Sequence, residues 1–445
     1  MPGKSSPISV STKLQRIAEL ARQSPSMVLT TLAHHIDEEF LREAYRRTRK
    51  DGAPGVDRQT ADEYASELEL NLRSLLDRFK SGTYRAPLVK RVHIPKGDGK
   101  KTRPIGIPTF EDKVLQRAVS MVLEAVYEQD FHDCSYGFRP GRSAHQALQA
   151  LWGTLTEMRG GWVLELDIQS FFDSLGHGHL RSFLDQRVRD GVLRRTIDKW
   201  LKAGVMEDGV VSYPDSGSPQ GGVVSPLLAN VYLHEVLDVW FEKQVRPRLA
   251  GRAALIRFAD DAVLLFASEA DARRVMAVLP KRFGKYGLTL HPEKTRLVPF
   301  HRPSSSGGGK RGDRPGTFDL LGFTHHWGRS HRGFMVIKRQ TARSRLQRAL
   351  KKVALWCRAH RHEPVDEQQR SLNLKLRGHY GYYGITGNFR ALKSFWIEVR
   401  REWRRWLNRR SQRARLYWPS FQALLQRYPL ARPHVVHSVY AQRIR

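Results

Sequence analysis

Along residues 60–80 the apolar positions Tyr64, Leu68, Leu72, Leu75, Leu76 and Phe79 fall three or four apart, the period of one long amphipathic helix. Shorter helices are predicted near Thr12–Arg22 and over 37–48, the second stopped by Asp51-Gly52-Ala53-Pro54-Gly55. Helical patterns recur over 111–130, most of 173–202, 226–244 and 269–286. Val89–Pro95 and Arg103–Ile107 read as strands around a turn rich in glycine and charge, Lys96-Gly97-Asp98-Gly99-Lys100. A strand hairpin is predicted over 253–267, with strand pieces at 288–300 and 317–327. Pro303–Pro315 reads as a flexible linker; it lacks the Gly-Lys-Ser/Thr ending and following helix of a phosphate loop. From about residue 340 only helical patterns appear, broken at Gly381–Asn388 and closed by a Pro-containing tail after Pro419. The expected class is α+β followed by an all-α domain.

Two polar interruptions of apolar stretches carry candidate chemistry. Leu164, Leu166 and Ile168 alternate with Glu165 and Asp167, as in a strand with one polar face, and Asp167 lies near its end. Phe258-Ala259-Asp260-Asp261 divides Leu255-Ile256-Arg257 from Val263-Leu264-Leu265-Phe266. A hairpin turn alone would account for an isolated Asp-Asp. Adjacent carboxylates in so apolar a stretch need compensation, since a buried unpaired anion is costly. One carboxylate ending a strand and two at a hairpin tip can converge on two metal ions about 3.5–4 Å apart.

The 445 residues suffice for two or three domains with substantial cores. The formal charge of +32 is unnecessary for folding and points to a polyanionic partner, most commonly nucleic acid, with an anionic membrane surface as the alternative. It is uneven: residues 331–445 hold 27 Lys and Arg against five acidic residues, so +22 of the charge falls in the last quarter. Arg400, Arg401, Arg404, Arg405, Arg409, Arg410 and Arg413 lie there among Trp403, Trp406, Tyr417 and Trp418. Guanidinium groups suit phosphates and stack on bases, which makes these arginines candidates for RNA binding. No apolar run reaches spanning length and Met1–Thr12 has no long apolar stretch, so a soluble intracellular protein with no membrane partner is expected. Two cysteines, Cys134 and Cys357, exclude a disulfide scaffold or a Cys-based zinc cluster and read as small buried hydrophobes. The histidine clusters (His34-His35, His177/His179, His325-His326, His360/His362) lack a metal-ligand context.

An ordered set of motifs then gives a resemblance. Asp51–Asp57 is followed by Ile94-Pro95-Lys96, Arg103–Pro108, Ser135–Ser143 (Ser-Tyr-Gly-Phe-Arg-Pro-Gly-Arg-Ser) and the Asp167 strand. Gly217–Gly222 (Gly-Ser-Pro-Gln-Gly-Gly), Ser225–Asn230 (Ser-Pro-Leu-Leu-Ala-Asn), Phe258–Asp261, Pro292–Thr295 (Pro-Glu-Lys-Thr) and Leu321-Gly322-Phe323 complete it. Over nearly its whole length the chain resembles the reverse transcriptase/maturase proteins of bacterial group II introns. Leu376–Tyr380, Tyr382–Gly384 and Arg409–Gln412 extend the likeness less diagnostically. The family more often has Tyr at 258, Thr at 218 and an aromatic at 262, where this chain has Phe258, Ser218 and Ala262.

The resemblance implies a right-hand polymerase: an N-terminal extension over 1–30, fingers and palm over 31–325, and a basic helical thumb or maturase (X) domain over 326–445. No endonuclease domain is expected after it, and hence no intrinsic second-strand cleavage. It implies an RNA-directed DNA polymerase of a mobile element that binds its intron RNA and assists splicing and retrohoming. The partners would be intron RNA, RNA template, DNA primer or target, and dNTPs. A related enzyme without an intron (defence, retron or diversity generation) and a purely RNA-binding splicing cofactor are the alternatives. By resemblance, Asp167 and Asp260 would hold two Mg²⁺ ions, with Asp261 supporting and the Ile168 carbonyl completing a metal shell. Lys96 and Arg103 would grip the triphosphate, Phe172 would crowd the sugar 2′ position, and Gln220 would contact the nucleotide. Lys294 could protonate pyrophosphate. Asp173 reads as the cap of the next helix.

Overall fold

The computed structural model describes residues 9–95, 102–213, 216–217, 221–303, 316–411, 413 and 415–438. It divides into two compact units, Met1–Ala147 with Leu164–Leu297, and Leu148–Val163 with Val298–Arg445.

The first unit opens with helices α1 (Val10–Gln23) and α2 (Glu38–Arg47), capped by Ser9 and Asp37. The single helix expected over 60–80 is two, α3 (Ala61–Ser66) and α4 (Leu68–Ser81). Glu67 leaves helical geometry at φ −124° and ψ 39°. The Asn71 amide donates to the Tyr64 carbonyl across the break, so apolar spacing persists while the backbone does not. Strands β1 (Val89–Pro95) and β2 (Thr102–Ile107) pair antiparallel, Lys90 opposite Ile107. Helix α5 (Phe110–Tyr127) follows, capped by Thr109; Val114, Leu115, Ala118, Val119, Val122 and Leu123 are wholly buried, and α1 and α2 pack on it.

Helix α6 (Ala144–Glu157) starts on a capping box, in which Ser143 and Gln146 each accept the other's backbone N–H. Strand β3 (Trp162–Leu166) ends just before Asp167, and a 3₁₀ turn, Phe171–Asp173, follows Ser170 at φ 43°. Asp173 is not a helix cap: it lies inside that turn, and α7 (His177–Asp185) begins at Gly176 without a side-chain cap. Helix α8 (Gly191–Leu201) is capped by Asp190. Strands β4 (Val205–Glu207) and β5 (Val210–Ser212), too short to register as a period, extend the first sheet to the order β2-β1-β4-β5. Helix α9 (Ser225–Leu233) carries Pro226 in its first turn and runs on through π-type turns at His234–Asp238 and Phe241–Val245. Strands β6 (Ala253–Phe258) and β7 (Asp261–Phe266), helix α10 (Glu269–Gly284) and β8 (Arg296–Pro299) follow, with the second sheet in the order β6-β7-β3-β8. Of the strand expected over 288–300, only 296–299 extends.

In the second unit, β9 (Phe318–Leu320), β10 (Phe323–Arg329) and β11 (Met335–Thr341) form one antiparallel sheet with β10 central. One face of β10 and β9 packs Phe318, Phe323 and His325 out of solvent. His325 stacks on Phe318 at 4.8 Å, and burial pushes its pKa down to about 3, so its buried imidazole is neutral. Helices α11 (Arg343–Ala359), α12 (Val365–Tyr383), α13 (Phe389–Leu407) and α14 (Trp418–Arg427) enclose a core of Leu372, Leu376, Tyr380, Leu392, Phe395 and Trp403. The break expected over 381–388 is shorter, 384–388, since α12 runs through Tyr383; it ends on Asn388, whose buried amide donates to Tyr383 O and Thr341 Oγ1 and accepts from Thr341 N–H. The chain after Pro419 is helical as far as Arg427, and that proline is tolerated because it lies in the first turn of α14, where its missing N–H costs nothing. Cys357 is buried in this core and Cys134 is partly buried in the first unit. No helix among the described residues is long and apolar enough to cross a membrane.

Candidate active site

Phe258 pairs with Asp261 at the end of the β6–β7 hairpin, leaving Ala259 and Asp260 as a two-residue turn. Ala259 takes φ 55°, the left-handed geometry that tight hairpins require and that side chains with a Cβ resist. Gly137 explains how it is held. A Cβ at 137 would lie 2.4 Å from Ala259 N, so only glycine lets the 135–137 segment press on the turn. Tyr136 N–H donates to Arg257 O at 2.9 Å and Arg257 N–H to Cys134 O at 2.8 Å, which fixes that segment along β6.

The apolar stretches flanking Asp260-Asp261 are the strands themselves, and the turn between them reaches solvent. Asp260 is half-buried and Asp261 exposed, so the expected burial of both carboxylates does not hold. Strand β7 lies directly between β6 and β3, so Asp167, one residue beyond β3, and Asp261, the first of β7, belong to neighbouring strands.

The Pro292–Thr295 motif brackets Asp167. His291 N–H donates to Asp167 O at 2.7 Å, Asp167 N–H to Thr295 Oγ1 at 3.4 Å, and Lys294 Nζ to the two carboxylate oxygens at 3.0 and 3.2 Å. Ile168 stands opposite Leu290, but the bonds of this pairing are made by Asp167 O and Gln169 N–H, so the Ile168 carbonyl accepts neither. Among the described residues no group of three or more His, Cys, Asp or Glu side chains is disposed to hold a metal ion. Magnesium seldom needs one: one or two carboxylates plus substrate phosphates suffice, and half-exposed carboxylates on neighbouring strands suit that chemistry.

The loop expected to hold Gln220 is pinned at both ends. A Cβ at Gly217 (φ 93°) would lie 2.9 Å from Phe172 O, and His177 Nε2 meets Gly217 O at 2.7 Å. A Cβ at Gly221 (φ 121°) would lie 2.2 Å from Gly106 O on β2. The side-chain Oε1 of Gln116 accepts from Val223 N–H at 2.7 Å. Gly217 and Gly221 therefore lie against the Phe172 turn and against the strand that carries Arg103, which is exposed. Lys96 and Gln220 lie outside the described residues. Phe171 is buried and Phe172 half-buried, their rings 5.4 Å apart.

In the second unit the seven arginines separate. Arg401 and Arg405 are exposed and pair with Glu398 and Glu402 one turn earlier. Arg400 lies 4.4 Å over Trp396; Arg404 lies 4.3 Å over Trp418 and donates to Leu416 O at 2.9 Å. Arg410 is tied to the carbonyls of Arg361 and Glu363, and burial lowers its pKa. Arg409 and Arg413 are exposed. Trp403 is core, donating to Gln368 Oε1 at 2.9 Å.

Sequence reasoning passed over Arg257, Asp238 and Asn230. Arg257 is wholly buried; its Nε and Nη2 donate to Asp238 at 2.8 and 2.5 Å, and its Nη1 to Asn230 Oδ1 and Ala259 O, each at 3.0 Å. The available signal was an arginine inside the run Leu255-Ile256-Arg257-Phe258.

These features define an α+β protein with carboxylates on neighbouring strands of one sheet and a loop whose two ends are pinned by glycines. Residues 94–325, just over half the chain, match the reverse transcriptase (RNA-dependent DNA polymerase) family, and the chain belongs to it. It is 38% identical over 252 residues to protein YkfC of Escherichia coli K12, a match covering 55% of this chain and 65% of that one. It is also 38% identical over 229 residues to the group II intron-encoded protein LtrA of Lactococcus lactis, covering 50% of this chain and 37% of LtrA. Nuclear intron maturase 2, mitochondrial, of Arabidopsis thaliana matches at 33% over 81 residues, 18% of this chain and 11% of that protein. The chain thus spans less than two thirds of these relatives.

Proposed function

We propose that this chain is an RNA-directed DNA polymerase encoded by a group II intron, which also binds the intron RNA and assists splicing and retrohoming. The observation that carries this is the strand order β7-β3, with Asp167 following one strand and Asp260-Asp261 opening the other. On this reading residues 31–325 form fingers and palm and 326–445 a basic thumb. Asp167 and Asp260 would hold two Mg²⁺ ions, with Asp261 supporting and the Ile168 carbonyl available to one ion. Bound there, Mg²⁺ would supply activation of a primer 3′-hydroxyl and neutralisation of a leaving pyrophosphate.

The chain's own residues do the positioning. Lys294 donates two hydrogen bonds to Asp167, and it would be the group that passes a proton to the leaving pyrophosphate. Phe172, at the turn after β3, would stand against the sugar and exclude a 2′-hydroxyl. Arg103 and Lys96 would grip the triphosphate, and Gln220 would contact the nucleotide. Of the exposed arginines, Arg401 and Arg405 pair with glutamates, so Arg409 and Arg413 would be the ones to meet phosphate.

The test is Asp260→Asn with Asp261→Asn, assayed by primer extension on an RNA template and by binding and splicing of the host's intron RNA. Extension falls to background while RNA binding and splicing persist. Equal loss of both, or retained extension, would refute the reading.

A further inference from the structure

Three segments of the first unit meet on one buried guanidinium. Arg257 comes from β6, Asp238 and Asn230 from α9 and its π-type extension, and the third partner is the Ala259 carbonyl inside the turn. Asn230 also donates through Nδ2 to Gly137 O at 2.7 Å, and Gly137 is the residue pressed against Ala259. A closed ring of contacts therefore surrounds the peptide that leads into Asp260. Both ion-pair partners are fully out of solvent. Such a pair adds little net stability, since desolvation offsets its attraction, and well-packed apolar replacements often fold as well. What apolar side chains cannot do is hold a carbonyl at a set distance and angle. Ala259 needs that, because its left-handed backbone is one that an alanine leaves unless its surroundings fix it. Ala262, the cross-strand partner of Arg257, is small and buried.

We propose that Arg257 is a positioning residue for the polymerase site: clamped by Asp238 and Asn230, its guanidinium fixes the Ala259 carbonyl and so the direction in which the Asp260 carboxylate leaves the hairpin. The inference rests on the polymerase reading above. Lysine cannot substitute, because a single ammonium cannot span a bidentate carboxylate, an amide oxygen and a peptide carbonyl at once. The Asp260 carboxylate is also felt at the guanidinium: burial disfavours the charge of Arg257, but Asp238 overrides this, and Asp260 adds to the effect.

The experiment compares full-length wild type, Arg257→Lys, and the double apolar variant Arg257→Met with Asp238→Leu. Each is followed by melting temperature, single-nucleotide incorporation rate, KM for dNTP and the Mg²⁺ concentration at half-maximal rate. The double variant should melt near wild type, yet incorporate nucleotide on the order of 10–100-fold more slowly and require severalfold more Mg²⁺, with KM for dNTP and primer–template affinity within about twofold. Arg257→Lys, measured below its melting point, should show the same Mg²⁺ shift even if the double variant does not fold. Wild-type rate and Mg²⁺ requirement in either folded variant would overturn the inference, as would a rate loss that only tracks the unfolded fraction. If wild type itself extends no primer, the polymerase reading has failed instead.

Discussion

At the scale of single residues, close packing decides more than charge. Gly137 illustrates this, because an added Cβ would overlap the backbone N of Ala259. Gly137→Ala should leave the melting temperature within a few degrees if the turn shifts to make room, and that shift should cut nucleotide incorporation by about 100-fold. Unaltered incorporation in the folded variant would mean that the turn tolerates displacement. The glycines of the motifs were legible as letters, but their reason was not. Gly217 and Gly221 are set against Phe172 O and Gly106 O, neighbours more than 40 and more than 100 positions away along the chain. The carboxylates were legible as a strand end and a hairpin tip, and that is where they lie. Arg257 was passed over because an arginine in a strand can face solvent or the interior, and the sequence does not say which.

At the scale of elements, the helices and the principal strands follow their periods, and the departures have local causes. The 60–80 helix is interrupted at Glu67 because Asn71 satisfies the Tyr64 carbonyl that the break frees. The turn that follows helix α13 shows why a run of arginines is not one functional surface. Arg410 is bound to two carbonyls, whereas Arg409 beside it is exposed. Arg410→Ala should destabilise the chain by about 1.5–3 kcal/mol, the range for hydrogen bonds to a charged group. Arg409→Ala with Arg413→Ala should leave melting unchanged and reduce the slope of log affinity for RNA against log salt by roughly one for each phosphate no longer neutralised. Thermal melts and binding titrations over a salt series distinguish the two. An unchanged slope would mean that these two arginines face solvent in the complex.

At the scale of the whole molecule, the basic charge and the buried histidines set the response to conditions. His325 and His379 are held neutral by burial, at about 3 and about 4, against an ordinary value of 6.5. An unfolded chain takes up protons on both imidazoles below pH 6.5, while the folded chain does not until well below that. Stability is therefore fully present above about pH 6.5 and falls as pH drops towards 4 and then 3, by roughly 1.4 kcal/mol for each pH unit over which one imidazole is protonated only in the unfolded chain. His379→Phe, which keeps the ring stacked 3.8 Å from Phe395, should flatten the upper part of this decline in melts taken from pH 7 to 4. A decline identical to wild type would show that His379 is protonated in the folded state.

The sequence by itself determined the periods of most helices, the two carboxylate-bearing strand ends, the family motifs in order, and the concentration of positive charge in the last quarter. These depend on neighbours within a few positions, or on composition, and both can be read from one chain. The tertiary structure alone decided that β7 lies beside β3, that Lys294 sits on Asp167, that Arg410 is internal while Arg409 is not, and that Arg257 holds the Ala259 carbonyl. Each of these is a contact between distant segments, set by which strand pairs with which and by which side chains are left facing inward once the strands and helices have packed.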